Sequence, residues 1–77
     1  NPFNPTTKIG YVLSAKTNVK VVVMNAIGEQ IAVLVNQTQE QGYHQLTFNA
    51  TNLPSGIYFY SLQTENYSET KKMLLMK

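Results

Sequence analysis

The chain has 77 residues, no cysteine and a formal charge of +2 from six lysines and four glutamates, with neither arginine nor aspartate. This is one small domain, close to the size at which a core stands without staples. It has no disulfide framework or thiolate metal site, too little clustered positive charge for a nucleic-acid binder, and no apolar run near the roughly 18 residues of a spanning helix.

The opening NPFNPTT places two Asn-Pro pairs within five residues. Proline fixes φ, removes an amide donor and holds the preceding residue extended. Residues 1–6 are therefore expected to be a linker that joins domains without pairing into a sheet, with residues 7–77 as the folded domain. Phe3 is the exception, expected to anchor in the rim of the fold. The start on Asn1 without Met, and no charged-apolar-small leader, read as the tail of a longer protein.

From Thr7 onward the chain predicts strands. In TKIGYVL, Ile9, Tyr11 and Leu13 share a face opposite Lys8 and Gly10, the two-residue alternation of a half-buried strand. NVKVVVMN puts Val19, Val21 and Val23 together, and β-branching favours strand over helix. Ala26 to Glu29 then forms a turn in which Gly28 takes positive φ, leading into QIAVLV. YHQLTFNA alternates His44, Leu46 and Phe48 against Tyr43, Gln45 and Thr47, and GIYFYSLQT puts Tyr58, Tyr60 and Leu62 on one side. Glu65 and Asn66 turn the chain into YSETKKMLLMK.

The last of these, KKMLLMK over Lys71 to Lys77, carries four consecutive apolar side chains where a terminus ordinarily frays. It predicts a final strand hairpinned against residues 56–64, its second half apolar on both faces. Seven residues are too short for a membrane-surface helix. The heptad is expected to be ordered by pairing with its neighbour while keeping a free flank available.

Strands at a spacing of about ten residues, punctuated by Asn, Gly, Pro and Ser, predict an all-β fold. It is a small antiparallel immunoglobulin-like β-sandwich of about six to seven strands. LPSGIYFY supports this, because such sandwiches place a tyrosine at the corner before the penultimate strand, its hydroxyl bonded back to the backbone. Tyr58 falls at that corner and Tyr60 where disulfide-bonded relatives of the fold place Cys.

Catalytic chemistry finds little footing. His44 has no Cys or Asp to pair with and alternates with Leu46 and Phe48, as a partly buried structural histidine would. Glu29, Glu40, Glu65 and Glu69 lie in predicted turns or polar faces, and the four glycines are isolated, so neither an acid-base pair nor a phosphate loop results. No catalytic, metal or cofactor residues are assigned. Three Asn-X-Ser/Thr sequons at Asn36, Asn49 and Asn66 follow largely from eight Asn and twelve Ser and Thr in the chain. Tyr43, Phe59 and Tyr67 remain as outward rings on which an accessory module would bind polysaccharide, with a protein partner the other use of such a module.

NPFNPTTKIGYVL, NVKVVVMNAIGEQIAVLV and GYHQLTFNATNLPSGIYFYSLQTENYSETKKMLLMK, in that order and spacing, resemble the type A C-terminal sorting domain of the bacterial type IX secretion system. The likeness lies in Asn-Pro-Phe-Asn-Pro, the turn Asn25 to Gly28 before Ile31, the Gly56-Ile57-Tyr58 step and Lys72-Met73 through Lys77. Asn25 departs from an acidic residue frequent in relatives, and a turn amide makes the same local bonds. The resemblance implies a non-catalytic delivery signal that follows a cargo domain, folds in the periplasm and needs no cofactor. An outer-membrane translocon would recognise it, and a sortase-like peptidase would commonly remove it at the cell surface. It also implies that recognition falls on the last two strands, carried over to Gly56, Tyr58, Lys71, Lys72 and Lys77. An edge strand offers unpaired backbone groups to a receptor, while lysines restrain pairing between copies.

Overall fold

A computed structural model describes residues 2–3 and 5–77, with side chains from residue 5 onward. The strands are β1 (Pro2–Phe3), β2 (Thr6–Leu13), β3 (Thr17–Asn25), β4 (Gln30–Gln39), β5 (Gly42–Asn49), β6 (Gly56–Gln63) and β7 (Ser68–Leu75). They form a five-stranded sheet ordered β1-β7-β6-β3-β4 and a two-stranded sheet of β2 and β5. Every long pair is antiparallel, and only β1 on β7 is parallel. With β4, β3, β6 and β7 as C′, C, F and G, and β2 and β5 as B and E, this is the pairing of an immunoglobulin-like sandwich.

The alternation that predicts the strands also builds the core. Ile9, Tyr11 and Leu13 of β2 and Phe48 of β5 face Val19, Val21 and Val23 of β3, Tyr58 and Leu62 of β6, and Met73 and Leu75 of β7, all buried. Leu34 and Leu46 touch both halves of this interior and join them. Each such side chain contributes about 1.5–3 kcal/mol by leaving water. Between Val21 and Val22 of β3 the register with β4 slips, so that Val35 lies opposite Val21 and Val33 opposite Val22. The extra residue lets adjacent Leu34 and Val35 both reach the core, as a bulge permits.

The β3–β4 turn is closed by Asn25. Its Oδ1 accepts the amides of Ile27 at 3.1 Å and Glu29 at 2.9 Å, and its Nδ2 donates to Glu29 Oε1 at 2.7 Å. Gly28 supplies the positive φ, at 87°.

The proline-rich entry departs from expectation. Instead of staying clear of the sheets, Pro2 and Phe3 pair with Leu74 and Leu75. Proline is tolerated there because this is an outermost strand, where a missing amide breaks no interior ladder. The rim anchor expected of Phe3 concerns a side chain outside the described residues.

Candidate functional site

The β6–β7 hairpin holds every residue assigned to recognition except Lys77, which lies just beyond it. Gly56 pairs with Leu75, Tyr58 with Met73, Phe59 with Lys72 and Tyr60 with Lys71. The closing turn is tied by the Thr64 amide to the Tyr67 carbonyl at 2.8 Å, and Thr64 Oγ1 accepts the amides of Asn66 at 3.3 Å and Tyr67 at 3.2 Å. Tyr58, Tyr60, Leu62, Met73 and Leu75 line the inner side, with Tyr60 half-buried and the others buried.

Lys71 and Lys72, being successive strand residues, point to opposite faces of the sheet. Both are exposed, and neither has an ion pair among the described residues, where Lys16 and Glu40 form the one pair, at 3.5 Å. Lys77 is held differently. Its amide donates to Ser55 Oγ at 3.1 Å and its Nζ to the Thr51 carbonyl at 2.5 Å. The same loop supplies the Pro54 carbonyl, which accepts the buried Tyr58 hydroxyl at 2.7 Å just before Gly56 opens β6. Gly56, Tyr58 and Lys77 thus gather at one end of the hairpin, while Lys71 and Lys72 lie midway along β7. Thr51 and Ser55 carry no signal in the sequence that marks them as partners of Lys77, since these contacts join residues more than twenty positions apart.

The free flank does not reach the end of the strand. Leu74 and Leu75 are enclosed between β6 and β1, because the proline-rich entry pairs there, and Met76 and Lys77 lie past the end of the strand. From Ser68 to Met73 the outer flank of β7 pairs with no strand among the described residues. Beside that open length runs a groove of about 280 Å³ floored by Ile9, Tyr11, Tyr60 and Leu62, with Tyr67, Glu69 and Lys71 at its rim.

A family model for the secretion system C-terminal sorting domain matches residues 1–76. The chain belongs to that family. Searches of curated proteins and of solved structures each gave no match. The sorting domain is thus a type IX secretion signal built as a small all-β sandwich.

The three rings considered for a glycan platform do not form one. Tyr43 is exposed on the outside of the two-stranded sheet, lying over Gly10 with Cε1 and Cζ 3.1 Å from where a β-carbon would stand. Phe59 alternates with inward Tyr58 and Tyr60, which puts it on the outside of the other sheet, and Tyr67 sits in the β6–β7 turn. Strand alternation tells a residue's side but not which sheet it faces away from, and here the two faces are opposite. His44 stacks on Tyr11 with centroids 5.6 Å apart, and its Nε2 lies 2.7 Å from the Glu40 carbonyl oxygen. The residue as a whole is half-buried.

Proposed function

We propose that the domain is a non-catalytic address. It directs the polypeptide joined ahead of it through the periplasm, across the outer membrane by the type IX translocon, and on to the cell surface or the medium, where a sortase-like peptidase removes it. The observation that carries this reading is the family match over residues 1–76. Recognition is placed on Lys71, Lys72, Lys77, Gly56 and Tyr58, in two roles. Lys71 and Lys72 are the contacts, since they are exposed, lack carboxylate partners among the described residues and present charge on both faces of one strand. Gly56 and Tyr58 position the hairpin end and the loop on which Lys77 rests.

The test is the paired substitution Lys71→Gln and Lys72→Gln in a cargo fusion expressed in a type IX host. Surface delivery is expected to fall several-fold, with the melting midpoint of the purified domain unchanged within a few degrees, as for surface substitutions generally. Full delivery by the folded variant places recognition elsewhere.

A further inference from the structure

We propose that the groove beside β7 receives the polypeptide that leads into Pro2 in the whole protein, as a parallel strand that lengthens β1. The inference rests on the reading above only in assuming that cargo precedes the domain. It follows from the direction of β1. Pro2 lies opposite Leu74 and Phe3 opposite Leu75 in parallel register, so each step back along the chain is a step back along β7. Continued in that register, the second residue before Asn1 comes opposite Lys71 and the fourth opposite Glu69. Extended chain in this direction enters the one length of β7 flank, Ser68 to Met73, that pairs with no strand among the described residues.

The groove lies at that level. Tyr60 and Leu62, its floor on the β6 side, are the β6 partners of Lys71 and Glu69, and Ile9 and Tyr11 face them from β2. Side chains directly alongside in a parallel pair share a face. The second and fourth residues before Asn1 therefore point into the groove, and the first and third point away from it. The occupant is a strand with apolar side chains at those two inward positions. It joins a ladder that β1 has already begun and covers a flank whose free amides and carbonyls are otherwise a template for pairing between copies. The domain's interior is then completed by residues of the linker, which couples the orientation of the cargo's last segment to β7.

Hydrogen exchange read by mass spectrometry on the full-length protein tests this. With the native segment, amides on the outer flank of Ser68 to Met73 should exchange about tenfold or more slowly than in a variant whose six preceding residues are replaced by Gly and Ser. A second pair of variants keeps the test informative if that replacement disturbs folding. Lys at the second residue before Asn1, directly alongside Lys71, should restore fast exchange, and Lys at the third should leave it slow. Equal exchange in the native and Gly-Ser proteins, or equal effects of the two Lys substitutions, overturns the proposal. Export is not the readout, so loss of sorting function leaves the result interpretable.

Discussion

At the scale of single residues the hydroxyl of Tyr58 is the clearest case of one atom holding a junction. It donates to the Pro54 carbonyl from a ring that is otherwise buried, which fixes the loop on which Lys77 rests. Tyr58→Phe keeps the packing and orphans that carbonyl, so a loss of about 1–2 kcal/mol is expected. A thermal melt reads this as a fall of about 4–8 °C per kcal/mol for a domain of this size. Tyr11 makes a different prediction. Burial raises its pKa above the ordinary 10.0, partly offset by its hydrogen bond to Gln39. The folded state favours the neutral phenol, so the stability this contributes is whole below about pH 10 and is lost as pH rises through the folded value. Melting midpoints followed from pH 8 upward, at about half-unit steps, should decline past that point, and Tyr11→Phe should make the decline shallower. The role of Tyr58 was legible because corner and strand are contiguous in LPSGIYFY. The Gln39 partner of Tyr11 was not, because 28 positions separate them and only the packed sandwich brings them together.

At the scale of elements, β7 serves folding with the inward side chains of its second half and recognition with the two lysines that precede them. Met73 and Leu75 are in the core, Leu75 fully, whereas Lys71 and Lys72 are exposed. Deleting Lys71 to Lys77 therefore removes core along with any recognition surface, and loss of cooperative unfolding by circular dichroism is expected of that truncation. Leu75→Ala alone should cost about 2–5 kcal/mol in a denaturant titration, the range for a buried leucine that leaves a cavity. The long strands were legible to within a residue or two from two-residue alternation, except that β4 runs four residues past QIAVLV through polar Asn36 to Gln39, and two further features were not. The bulge that turns both Leu34 and Val35 inward is set by the partner strand rather than by β4 itself. The pairing of Pro2 and Phe3 runs against the local preference of Asn-Pro sequence, and an outermost position on the sheet is what permits it.

At the scale of the whole molecule, alternation gives the side that each residue faces but not how strands are shared between sheets. A division of five strands and two leaves β2 and β7 flanking an open groove, and puts Tyr43 and Phe59 on opposite outer surfaces. Neither consequence is visible along the chain, because sheet membership is decided by contacts between distant segments. Function was legible only through the order of several short motifs spread over the chain, since a sandwich by itself specifies no activity. The sorting role is decided by surface delivery of a foreign reporter carrying residues 1–77 at its end, in a type IX host and in the same host without its translocon. Reporter is expected at the surface or in the medium only where both domain and translocon are present. Reporter retained inside the translocon-bearing host, with the fused domain folded, would contradict it.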